Sequence, residues 1–126
     1  MNLSDYFSKK DGIGVLSTAN KDGEVNSAIY SKPHVKDSNQ ILFIMRNKRT
    51  RANLQENPKA NYLFVENDTS YKGVRITLTM TGESDDKDLI EKCSRRASAP
   101  NTERYLVTFQ VNQASELVGD QNIELE

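Results

Sequence analysis

The stretch that decides the fold is residues 41–64, ILFIMRNKRTRANLQENPKANYLF. Its first five residues, Ile41 to Met45, are apolar and read as a strand buried on both faces. The character then changes within one residue. Arg46, Lys48, Arg49 and Arg51 put four cations into six positions, with Asn47 and Thr50 between them. Ala52, Leu54 and Gln55 favour helix, and Asn57-Pro58 ends it, because proline cannot continue a helix and restricts the residue before it. A second apolar run, Tyr62 to Val65, follows. The predicted order is strand, basic turn, short helix, strand.

That order has an electrostatic use. A helix N-terminus leaves backbone N–H groups unpaired and carries about half a positive charge, so it favours an anion. Arginine and threonine at the same end add fork-shaped and hydroxyl donors that suit phosphate oxygens. Arg46 to Arg51 therefore reads as an anion site, with phosphate the leading ligand, against the alternative of a solvated basic turn.

The 126 residues fit one domain, 1–126, with 115–126 as a looser C-terminal tail. No apolar run approaches the roughly 20 residues that span a bilayer, and the start MNLSDYFSKKDG contains acids and has no signal-peptide core. One cysteine, Cys93, allows no internal disulfide, which fits a reducing cytoplasm. With 17 basic and 18 acidic residues, the chain lacks the overall basic excess of a nucleic-acid binder. A local basic turn suits a small anion better than a polyanion. Cys93 and His34, one of each, cannot build a structural zinc site.

Outward from the central stretch, Ser4 or Asp5 would cap a first helix carrying Leu3, Tyr6 and Phe7. Gly14 to Ala19 and Glu24 to Ser31 read as a hairpin about Lys21-Asp22-Gly23, and an edge or bulge is expected beyond Pro33. Val74, Ile76, Leu78 and Met80 alternate with Arg75, Thr77, Thr79 and Thr81, the clearest strand in the chain. Ser84 and the acids after it start a helix whose Leu89, Ile90, Cys93 and Ala97 share a face. Arg95 and Arg96 lie near its end, and Ala99-Pro100 stops it. Cys93 is then a core residue rather than a nucleophile. Tyr105, Val107, Phe109 and Val111 alternate in a last long strand. The sum is a mainly β domain of six antiparallel strands with short helices, in a barrel rather than an open sheet.

The chain resembles the FMN-binding split barrels, which include pyridoxamine 5'-phosphate oxidases, small FMN-binding proteins and general stress flavoproteins. Four pieces carry the likeness in order: GIGVLSTANKDGEVNSAIY, FIMRNKRTRANLQENPKANYLF, YKGVRITLTMTGE and RYLVTFQVNQASELVG. The basic turn followed by Ala-Asn-Leu-x-x-Asn-Pro is the most specific.

The resemblance implies a six-stranded split barrel with FMN at a homodimer interface. Arg49 and Thr50 fall at the phosphate positions, with Arg46 and Lys48 on the same turn. Ile44 and Met45 fall where backbone runs alongside the flavin, and Asn26, Ser27 and Ala28 where the ring edge and ribityl chain are met. Lys72, Gly73 and Arg75 would complete the pocket from the partner chain, with solvated strand-end charges the alternative for Lys72 and Arg75. The implied function is a flavin-dependent oxidoreductase acting on a small substrate. The alternatives are a non-enzymatic flavin or electron-transfer protein, or a reductase using the deazaflavin F420. Vitamin B6 oxidation itself is not expected: the arginine-containing closing segment is missing, and Arg49-Thr50 stands where those oxidases have a basic pair. Haem is disfavoured by a single histidine, His34, next to Pro33. No metal, nucleic acid or membrane partner is expected.

Overall fold

A computed structural model describes residues 1–94 and 103–126. In chain order these form α1 (Leu3–Lys9), β1 (Gly12–Ala19), β2 (Val25–Ile29), β3 (His34–Asp37), β4 (Gln40–Arg46) and α2 (Arg49–Glu56). Then come β5 (Lys59–Glu66), β6 (Gly73–Ser84), α3 (Lys87–Cys93), β7 (Arg104–Glu116) and β8 (Asn122–Ile123). All strand pairs are antiparallel, and the ladder runs β2-β1-β5-β6-β7-β4-β3 with β8 added to β7.

The sheet is curled. Phe43 on β4 and Tyr62 on β5 are three steps apart along the ladder, which in a flat sheet is roughly 14 Å at the usual strand spacing. Their ring centroids are 4.9 Å apart. Phe109 and Tyr30 meet Phe43 at 5.9 and 5.8 Å, and the core inside the curl includes Leu16, Phe64, Ile76 and Val107, each fully buried.

Two expectations change here. The described residues hold eight strands rather than six, and β2 and β3, at the ends of the ladder, are not paired. The additional strands are β3 and β8, four and two residues long, which carry too little alternation to be read from sequence. β3 follows Pro33, which has no N–H to give a ladder, and its register shifts between Val35 and Asp37. The central strand β4 is not buried on both faces either. Ile41, Phe43 and Met45 are buried, while Leu42 and Ile44 are half-buried.

The caps of α1 and α3 lie two or three residues from where the sequence puts them. Asn2 caps α1, its Oδ1 accepting from the Asp5 N–H at 3.0 Å. Asp86 caps α3, accepting from the Asp88 and Leu89 N–H groups, while Ser84 ends β6. On α3, Ile90 is buried and Leu89 is exposed. Arg95, Arg96, Ala97, Ala99 and Pro100 lie outside the described residues. Residues 115–126, read from sequence as a looser tail, hold the end of β7 and β8. The Glu126 N–H donates to the Met1 carbonyl at 2.8 Å. No helix among the described residues is long and apolar enough to cross a membrane.

One buried side chain ties the core to the hairpin. Tyr62 donates from its hydroxyl toward the carbonyls of Tyr30 and Ser31, at 3.1 and 3.2 Å. Only glycine fits at position 14, where a Cβ would lie 1.9 Å from that hydroxyl and 2.6 Å from the Tyr30 carbonyl. Tyr62→Phe strips both carbonyls of this donor and is expected to lower stability by about 1–3 kcal/mol in denaturant unfolding.

Tyr6 docks α1 on β5, donating to Glu66 Oε2 at 2.7 Å. Burial, then this bond to a carboxylate, pushes the Tyr6 phenol well above its ordinary value. The unfolded chain therefore loses this proton first as pH passes about 10, so the contribution is full below that pH and lost above it. Melting temperature measured from pH 8 to 11 should fall less steeply in Tyr6→Phe than in the wild type.

Candidate functional site

The curled but unclosed ladder leaves a gap between its two ends, and a cavity of about 570 Å³ lies there. One wall is β2, which pairs only with β1. The other is β4 beyond Leu42, where pairing with β3 has stopped and only the β7 side is held. Two strand edges without ladder partners thus border one space. Backbone N–H and C=O groups on such edges can serve a ligand.

The residues predicted from sequence divide cleanly. Asn26, Ala28, Ile44, Met45, Arg46, Lys48, Arg49 and Thr50 all line the cavity. Ser27 does not. Strand alternation turns it outward, where its Oγ is 2.9 Å from Ser17 Oγ on the neighbouring strand. Lys72, Gly73 and Arg75 lie away from the cavity of their own chain. Arg75 donates to the Glu116 carbonyl at 3.0 Å and to the Gly119 carbonyl.

The cationic end is built by the start of α2. Lys48 is its N-cap, with extended backbone and no side-chain cap hydrogen bond, and the first turn holds no acid. The orphan N–H groups and the positive end of the helix dipole are therefore uncompensated by the helix itself. Arg46, Lys48 and Arg49 make no ion pair among the described residues. Arg51 differs: Glu83 holds it, and it does not line the cavity. The helix is seated from below by Leu54, 2% exposed, and by buried Asn53, whose Nδ2 donates to Thr18 Oγ1 at 3.1 Å.

Several wall residues escape sequence reading. Tyr30 continues the Asn26–Ala28 alternation into the cavity, and that period was its only signal. Burial pushes its phenol up, with a hydrogen bond to Thr50 opposing, so the hydroxyl stays protonated at neutral pH. Arg104 reaches the wall through register, opposite Arg46, and is held by Glu91 Oε1 at 2.7 Å. Cys93, expected in the core, is half-buried on the same wall, because α3 packs across the start of β7. Among the described residues no cluster of His, Cys, Asp and Glu is placed to hold a metal ion.

The arrangement suits an elongated ligand with an anionic group at one end and a flat, hydrogen-bonding body at the other. Leu42 and Ile44 supply apolar surface for the body.

Comparison with solved structures supports the same architecture. An FMN-binding protein from Syntrophomonas wolfei subsp. wolfei matches with a TM-score of 0.77 at 21% identity, over 94% of this chain and 85% of that one. An F420 reductase matches with a TM-score of 0.72 at 16% identity, over 88% and 94%. General Stress Protein 26 from Bacillus anthracis str. Sterne matches with a TM-score of 0.72 at 15% identity, over 98% and 96%. Likeness at these identities shows a shared fold. No curated protein sequence matches. The pyridoxamine 5'-phosphate oxidase family model matches residues 4–121, nearly the full length. The chain belongs to the pyridoxamine 5'-phosphate oxidase family.

Proposed function

We propose that the chain binds FMN in the gap between β2 and β4, as a homodimer, and serves as a flavin-dependent oxidoreductase on a small substrate. One observation carries this reading: three cations without counter-ions among the described residues and a helix N-terminus without a side-chain cap meet at one end of a cavity bordered by two free strand edges. A phosphate dianion would be held by Arg49, Thr50 and the first amides of α2, with Lys48 and Arg46 beside them. The ring would lie along Ile44 and Met45, with Asn26 and Ala28 on the facing wall. FMN when bound supplies the hydride chemistry. The chain's residues bind and orient it and keep one face of the ring against apolar surface. F420 carries a phosphate on its tail as well and is the alternative cofactor.

The outer face of β2, β1 and β5 supports the dimer. Ile13, Val25 and Ile29, the last also at the rim of the cavity, are 56%, 74% and 76% exposed there. Ile29, Val15, Leu63 and Arg75 stand in one cross-strand row, so this apolar face runs from the cavity wall to the start of β6. A second copy packed on it by two-fold symmetry would bring its own Lys72, Gly73 and Arg75 toward the first chain's cofactor.

The absorption spectrum of the purified protein, with release and identification of any chromophore, tests the class directly; a protein that also refuses added FMN returns the turn to another anion. Arg49→Ala removes charge-assisted hydrogen bonds and is expected to weaken FMN binding about 10–100-fold in a fluorescence-quenching titration. Unchanged affinity would remove the phosphate assignment. Ile29→Glu puts a charge into the proposed interface twice. It should weaken dimerisation by roughly 3–6 kcal/mol, read as a shift to monomer in sedimentation velocity. Turnover of small oxidants by the reduced protein no faster than by free FMN would favour a non-enzymatic flavin carrier.

A further inference from the structure

Four cations crowd residues 46–51, yet one faces away from the cavity and is the most constrained of them. Arg51 lays its guanidinium against both carboxylate oxygens of Glu83 on β6, Nε at 3.1 Å and Nη2 at 2.5 Å. Its Nη1 donates to Asn47 Oδ1 at 3.1 Å, inside the turn that carries Lys48 and Arg49. Its Cζ lies 3.7 Å from the centroid of the Tyr105 ring on β7. Glu83 in turn accepts from Gln55 Nε2 at 3.5 Å, so one carboxylate holds two successive turns of α2.

We infer that Arg51 is the positioning residue of the anion-binding end: through Glu83, Tyr105 and Asn47 it fixes the turn that aims Arg49 and Thr50 into the cavity. This rests on the reading of that end as a phosphate site. Asn53 and Leu54 anchor the second half of α2, while its first turn, where Thr50 is buried and hydrogen-bonded to Tyr30, has neither a side-chain cap nor an acid. Arg46, Lys48 and Arg49 repel one another without a counter-ion among the described residues, so the turn would spread if nothing tied it down. Arg51–Glu83 is the one ion pair made by residues 46–51 among the described residues. Arg51 binds a flat carboxylate by two parallel bonds and stacks its plane on a ring. Lysine, a point charge on a flexible stem, can do neither.

A general loss of folding and a loss of aim can be told apart with two ligands that share ring and ribityl chain but differ in the phosphate. FMN and riboflavin affinities are measured for the wild-type protein and for Arg51→Met, Arg51→Lys, Glu83→Gln and Arg49→Ala, with a melting curve for each. The expected result is that Arg51→Met and Glu83→Gln cut the FMN-over-riboflavin preference about tenfold while riboflavin affinity holds. Arg51→Lys should fall short of wild type, and the Arg51→Met/Glu83→Gln double variant should lose no more than either single one. An unchanged preference in folded Arg51→Lys and Glu83→Gln, or an equal fall for both ligands, overturns the inference. If wild type shows no preference for FMN, the phosphate reading itself fails. If Arg49→Ala loses the preference while the Arg51 and Glu83 variants keep it, only the positioning role is wrong.

Discussion

Tyr62 is where core and site are made one problem. Its ring is fully buried and packs on Phe43 across the curl, while its hydroxyl reaches out to the Tyr30 and Ser31 carbonyls. The same residue therefore sets how tightly the sheet curls and where β2 ends. Those two quantities decide the width of the gap between β2 and β4, since the ladder does not close there. A full barrel would pair the two edges with each other and leave nothing for a ligand. An open flat sheet would leave them too far apart to share one. The bare backbone at Gly14 permits the close approach on which this depends.

The cationic end is arranged at the expense of local stability. Arg46 stands directly across from Arg104 in the β4–β7 register, and like charges in that relation are unfavourable. Glu91 and Ser94 take up Arg104, but Arg46 has no such partner among the described residues. A helix start without cap or acid adds to the excess of positive potential. A bound dianion would cancel several of these terms together, so ligand and fold would stabilise each other, as linkage requires of anything that binds only the native state. A solvated surface turn would gain nothing from being walled in by two strands, Tyr30 and Thr50.

The elements legible in the sequence are those whose own periodicity specifies them. The alternation from Val74 to Met80 is β6, and the run from Ile41 to Pro58 gives the order strand, turn, helix and stop. The Asp22-Gly23 turn is where glycine adopts a positive φ of 82°. The elements without such a pattern depend on partners distant in sequence. β3 and β8 exist because β4 and β7 pair with them, not through any pattern of their own. Ile41 to Met45 looks like a strand buried twice, because a half-buried apolar face over a cavity has the same composition as a buried one. Ser27 sits between two cavity residues and points the other way, a one-residue matter that a segment-level likeness cannot resolve. Arg104 and Cys93 reach the site only through the packing of α3 and β7.

Charge counting meets its limit in the same basic turn. Four cations of one sign within six residues look interchangeable, and the fold gives them different physical roles. Lys48 and Arg49 stand at a helix start, where the field of the backbone adds to their own. Arg46 lies on a strand end beside a second arginine. Arg51 is spent on Glu83 and Tyr105, and its charge is largely neutralised for anything in the cavity. The separation follows from helix geometry: successive residues lie about 100° apart around the axis, so Arg49 and Arg51 face opposite sides. A helix beginning two residues later would put Arg51 where Arg49 stands. The sequence of the turn therefore decides which cations meet the cavity only together with the residue at which the helix starts, and the carboxylate of Glu83, from a distant strand, is paired with Arg51 in the first turn of that helix.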